Sequence, residues 1–380
     1  MKKVITSSLL VASIVFTGCN DEAAAKPAAT PKAEAPVAQT TPAPQCEKSF
    51  YAPEWGVEAP TVNAYTYVRA ETDTQMKGYT QAPYNAFGKV VHGRKAYDID
   101  HQVTLSANRD TIYSMSVFDL SKSPVKITLP ESHGRYMSLM RLSQDNDVYP
   151  AIYAPEKGTK TVTITQEEIG TRYIFIALRT FADPASEEDM AAAHKLQDAV
   201  IVEQADSGSA EGIPEWNQEQ KMTLRKAFNA QASSFDNTSA MFGVKCDRSY
   251  FDDAMGVAVG WGGLQAKDAY YSPVQVAKND GKTAYTITVP KDVPTDYFWS
   301  ITVYDQGRYM VKNKQNRYAY NSVTTKKNED GSVTIHFGGD PKADNYMPIP
   351  KDWLYLIRFY GPHQEILDGS WKMPAAVEVK

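Results

Sequence analysis

Eight apolar segments govern what this 380-residue chain can fold into. "PVKITLP" (124–130), "RYMSLMRLS" (135–143), "TVTIT" (161–165) and "YIFIALRTF" (173–181) form one group. "AYTITVP" (284–290), "FWSITVYD" (298–305), "SVTIHFG" (332–338) and "WLYLIRFYG" (353–361) form another. Each segment alternates with period two or runs unbroken for the length of a buried strand, between Pro, Gly, Asp or Asn. The chain is therefore expected to be mainly β. "KNDGKT" (278–283) reads as a hairpin turn, with Gly281 free to take the positive φ it needs.

The two groups share an order of markers. Asp110, Tyr113, Ser114, Pro130, Tyr136 and Ser138 in the first correspond to Asp268, Tyr271, Ser272, Pro290, Tyr297 and Ser300 in the second. Further on, Arg179 closes one strand pattern as Arg358 closes the other. This repeat predicts two related antiparallel β-sandwich halves, jelly-roll-like, with a helical insertion between them. The expected boundaries are 46–185 for the N-terminal β domain, 186–245 for a helical connection and 246–380 for the C-terminal β domain. Within the connection, 186–204 opens with Ser186 and Asp189 at capping-box spacing. The stretch 217–235 sets Leu224, Phe228 and Phe235 on one helix face. "GVAVGWGG" (256–263) has the wrong spacing for a phosphate loop and reads as a close-packed helix end.

The N-terminus carries an address. Lys2 and Lys3 precede an uncharged apolar run from Val4 to Phe16, too short to span a bilayer but suited to a secretory signal over 1–18. "FTGC" is similar to the bacterial lipoprotein cleavage site, which would leave Cys19 as an acylated, palmitate-type N-terminus. Asn20 follows in place of the Asp that retains lipoproteins in the inner membrane, so an outer-membrane anchor facing the periplasm is expected. Residues 19–45, rich in Ala and Pro and without aromatics, read as a disordered tether. Cys46 and Cys246 remain, and in an oxidising compartment they are expected to form a disulfide. The mildly acidic charge, −5, without basic clusters argues against nucleic acid as a partner.

"NRDTIYS" with "DLSKSPVKITLP" and the following "RY" resembles the bacterial domain of unknown function 1254. "FWSITVYD", "NRYAYNS", "DGSVTIHF", "IRFYGP" and "LDGSWKMP" resemble its usual C-terminal companion, domain of unknown function 1214. The resemblance implies a β-rich, two-domain exported protein and brings no established chemistry.

No cofactor or metal is expected. The six histidines form no zinc-type pair, and no Gly-x-Ser-x-Gly elbow occurs. What stands out is a polar and aromatic set: Asn108, Arg109, Asp110, Arg135, Tyr136, Trp299, Tyr304, Asn313, Arg317 and Tyr318. Arginine offers a planar fork for carboxylate, sulfate or phosphate, and aromatic faces suit sugars or rings. Asp110 is the candidate general acid or base. Asn108 and Arg109 have no counterparts in the second half, which favours a functional role for them. Each residue type also has a scaffold use, pairing at strand ends or filling a sandwich. Two readings stay open: binding of a small anionic or sugar-like ligand, and a metal-independent hydrolase or lyase.

Overall fold

The computed structural model describes residues 61–102, 104–232, 235 and 241–380. Cys19, the tether and Cys46 lie outside the described residues. The first half comprises helix α1 (Tyr67–Thr80) and strands β1 (Val91–His92), β2 (Thr111–Asp119), β3 (Val125–Leu129), β4 (Met137–Ser143), β5 (Ile152–Tyr153) and β6 (Lys160–Ile164). It continues through α2 (Gln166–Ile169), β7 (Tyr173–Phe181), α3 (Glu187–Asp198) and β8 (Ile201–Gln204). Helices α4 (Gln218–Ala232) and α5 (Tyr250–Gly260) lead into the second half. That half contains β9 (Ala269–Gln275), β10 (Tyr285–Val289), β11 (Thr295–Tyr304), β12 (Ala319–Asn321), β13 (Val333–Phe337), β14 (Tyr346–Met347), β15 (Leu354–Pro362), α6 (Gln364–Leu367) and β16 (Val377–Glu378).

Seven strands of each half repeat in order, and β1 and β14 stand outside the repeat. The order β2-β7-β4-β5 in one large sheet recurs as β9-β15-β11-β12 in the other. The small sheets repeat as β6-β3-β8 and β13-β10-β16. Register confirms the alignment of markers: Arg179 lies opposite Tyr113 and Ser138, as Arg358 lies opposite Tyr271 and Ser300. Gly281 turns the β9–β10 connection at φ +73°, as the turn required.

Each large sheet is covered on both faces. Alternate residues Ile174, Ile176 and Leu178 of β7 pack with Val125, Ile127 and Leu129 in the first sandwich core. Their neighbours Tyr173, Phe175, Ala177 and Phe181 point the other way and share a cluster with Phe298 and Tyr360 of the second half. The second sandwich core holds Ile301, Ile335, Trp353, Tyr355 and Ile357. This is why β7 and β15 are buried at every position and read as unbroken apolar runs.

The connecting region differs from expectation. Ser186 does cap α3, accepting from Asp189 N at 3.1 Å. The helix stops at Asp198, however, and β8 pairs with β3, so α3 and β8 belong to the first half. Helices α4 and α5 pack instead with α1, whose Tyr67, Val68 and Ala70 share a cluster with Ala254 and Val257. Leu224 and Phe228 join that cluster, whereas Phe235 lies beyond the end of α4 and is exposed. Gly256 fits the close-packed reading: a Cβ there would meet Met241 O at 2.6 Å. No helix among the described residues is long and apolar enough to cross a membrane.

Candidate functional site

The two large sheets meet along a seam, and polar groups interrupt its apolar packing at mid-strand. Arg179 and Arg358 are 7% and 2% exposed, yet among the described residues neither has a carboxylate within salt-bridge distance. Arg69, Arg94, Arg135, Arg141, Arg172, Arg225 and Arg248 all do. Burying a guanidinium without a counter-charge is costly unless something else supplies the charge or the hydrogen bonds.

The two arginines solve this differently. Arg358 donates to Thr302 Oγ1 at 2.9 Å, Tyr304 Oη at 2.6 Å and Ser106 O at 2.6 Å. Arg179 donates to Gly262 O at 2.7 Å and makes a weak contact with Met140 Sδ at 3.6 Å. A guanidinium has five N–H donors, so Arg179 is the less engaged of the pair. Its charge lies 5.5 Å from the centre of the Tyr113 ring. Tyr113 and its equivalent Tyr271 are only half-buried, so this part of the seam keeps contact with solvent. Burial alone would push the Tyr113 phenol up; Arg179, with help from Thr111 and Arg358, reverses this and holds it below the ordinary tyrosine value. Burial dominates at Tyr271, whose phenol is raised although both arginines pull against it.

The strand entrances reach across the seam reciprocally. Asp110 Oδ1 accepts from Asn321 Nδ2 on β12 at 3.0 Å. Asp268 accepts from Tyr153 Oη on β5 at 2.9 Å and from Ala151 N at 3.0 Å. Tyr153 and Asn321 occupy equivalent positions, opposite Ser138 and Ser300. The match is incomplete, because Asp110 Oδ2 and Ser300 Oγ are both left without a hydrogen bond of good geometry. Burial raises the Asp110 carboxyl, with Asn321, Arg358 and Ser300 offsetting only part of the effect.

The polar set singled out in the sequence divides. Arg109, Asp110, Arg317 and Tyr318 come together around a cleft of about 50 Å³. Arg109 donates to Tyr97 O and lies over the Tyr318 ring, while Arg317 lies over Tyr320. Tyr304 stands behind them, donating to Ala107 O. Asn313 is a loop brace, bonded to the backbone of Arg317 on both sides of its amide. Asn108 is fully occupied: it accepts from Asp110 N and donates to Thr111 Oγ1 and Tyr360 Oη, latching one half to the other. Its lack of a counterpart reflects this latch. Arg135 lies elsewhere, in a bidentate pair with Asp189 at 2.6 and 3.0 Å. Tyr136 belongs to the seam's aromatic cluster, and Trp299 fills the second sandwich core. Arg179 and Arg358 were visible only as repeat markers. The overlooked signal was a charge set inside a strand whose every other residue reads as buried.

Among the described residues no three metal-ligating side chains gather into a possible site. No curated protein matches the sequence. The fold is similar to that of the VPA0106 protein from Vibrio parahaemolyticus, at 18% identity over 83% of this chain and 98% of that chain, with a TM-score of 0.60. An uncharacterized protein from Burkholderia cenocepacia aligns over 83% of this chain and 88% of that one, at 13% identity and a TM-score of 0.49. Residues 87–204 match the family described as protein of unknown function DUF1254, and residues 270–364 match that described as DUF1214, one domain in each half.

Proposed function

We propose that this chain is an envelope-anchored lipoprotein whose folded body binds a small anion in the seam between its halves. The observation that supports binding is Arg179: a buried guanidinium with no carboxylate partner among the described residues, beside a tyrosine that keeps solvent contact. A carboxylate, sulfate or phosphate group would supply the missing charge and use its idle donors. Thermal melts of the purified protein in inorganic phosphate, sulfate and citrate test this. At least one should raise the melting temperature of the wild type and not of Arg179→Met; equal responses in both proteins would refute the assignment.

The address is tested separately. Cys19→Ser should lose acylation and leave the membrane fraction, and wild-type protein should carry no free thiol at Cys46 or Cys246. A second reading, a metal-independent hydrolase or lyase, draws on Tyr113, whose phenol is held below its ordinary value at the same place and suits proton transfer. It requires that Tyr113→Phe abolish turnover of a bound anion while keeping its affinity.

A further inference from the structure

A groove of about 710 Å³ opens at the edge of the seam, between α3 and the loop before β4 on one side and the entrance of β11 on the other. We propose that it is a carbohydrate site, distinct from the Arg179 site, which holds a neutral pyranose ring against Tyr297. The volume falls in the range of small-molecule sites. Tyr297 is 40% exposed and lines this groove.

The ring is nevertheless fixed. It stacks on Tyr153 with ring centres 4.5 Å apart, and it forms a T-shaped pair with Tyr136 at 5.1 Å. Tyr153 is itself held by the Asp268 carboxylate. Gly361, at φ +64°, lets the backbone pass beside the ring: a Cβ there would sit 2.8 Å from Tyr297 Cδ2. An aromatic face ordered in advance loses little freedom when a ligand arrives. Its electron-rich surface attracts the C–H face of a pyranose, whose hydroxyls project from the ring edge.

The rim supplies partners for those hydroxyls. The planar Arg135–Asp189 pair, Glu131, Lys195 and Asp296 line the groove and offer donors and acceptors of both signs. Mixed charge favours a neutral sugar over an anion, which separates this groove from the Arg179 site.

Saturation-transfer NMR on the mature full chain, with cellobiose, maltose and chitobiose each at about 10 mM, tests the assignment at the millimolar affinity a single stacked ring gives. At least one disaccharide should receive saturation, strongest on its ring C–H protons. Tyr297→Ala should weaken binding at least tenfold, Tyr297→Trp should retain it, and Arg179→Met should leave it unchanged. Melting curves establish that each variant is folded. The proposal is overturned if none of the three sugars receives saturation, if a folded Tyr297→Ala binds as the wild type does, or if Arg179→Met abolishes the transfer.

Discussion

Arg179 and Arg358 occupy the same place in two copies of one architecture, opposite the same pair of residue types, and they are held in unlike ways. Arg358 is surrounded by neutral oxygens that take up its donors. Arg179 faces a methionine sulfur, one carbonyl and the Tyr113 phenol. The partners Thr302 and Tyr304 lie on β11, two and four residues beyond Ser300. The corresponding steps beyond Ser138 on β4 reach Met140 and Leu142, which cannot serve a guanidinium in the same way. One copy of the motif has become a structural pin, and the other holds a charge with fewer hydrogen-bond partners. A repeated fold permits this division, since one copy alone can fasten the seam.

The comparison is broken most severely by Arg358→Met. It leaves the acceptors of Thr302, Tyr304 and Ser106 without their donor and should destabilise the protein by about 3 kcal/mol or more in denaturant melts. Arg179→Met should change the stability of the unliganded protein by less than about 1 kcal/mol, or raise it, because it removes a poorly compensated charge. It should also remove the gain from a bound anion, about 2.7 kcal/mol at a concentration one hundred times Kd. Similar losses for the two variants would dissolve the distinction.

The strand-entrance aspartates give the next contrast. Asp268→Ala strips acceptors from Tyr153 Oη and Ala151 N and should cost about 2 kcal/mol. Asp110→Asn keeps the oxygen that faces Asn321 and should act mainly through pH. The folded state binds the Asp110 proton more tightly than the unfolded chain does, since burial raises this carboxyl. Its contribution is complete below the unfolded value, about 4, and is lost as pH rises through the raised folded value. Wild-type stability should therefore fall relative to Asp110→Asn as pH rises above about 4, and parallel curves would show that Asp110 does not titrate there. The smallest effect is spectroscopic. Tyr113→Phe should remove an early-ionising phenol from an ultraviolet titration, and Tyr271→Phe should not.

The sandwich repeat was legible because period-two alternation and a few fixed markers survive in the order of the chain. Helix α1 was not, because polar residues interrupt its buried face: Glu71 meets Lys221, and Asp73 accepts from Gln144 and Trp216. Strand β8 is four residues long and follows a helix directly, so it read as the helix's last turn. The site was only half visible. Arg109, Asp110, Arg317 and Tyr318 stood out as polar punctuation in loops and do converge. Arg179 and Arg358 lay within strands, where their use as markers concealed their chemistry. Contacts such as Asp110 to Asn321 join positions whose proximity depends on how two whole sandwiches face each other.

Those reciprocal aspartate contacts give the seam the pattern of a two-fold dimer interface written into one polypeptide. Two separate subunits would meet only as often as their concentration allowed, and would need a largely apolar face to stay together. A covalent link makes the encounter intramolecular, with an effective concentration that reaches the millimolar range for short flexible linkers. Association then tolerates a weaker interface. Charges that would split a dimer on dilution can persist between fused halves, and each copy is free to diverge because it no longer has to match its own mirror.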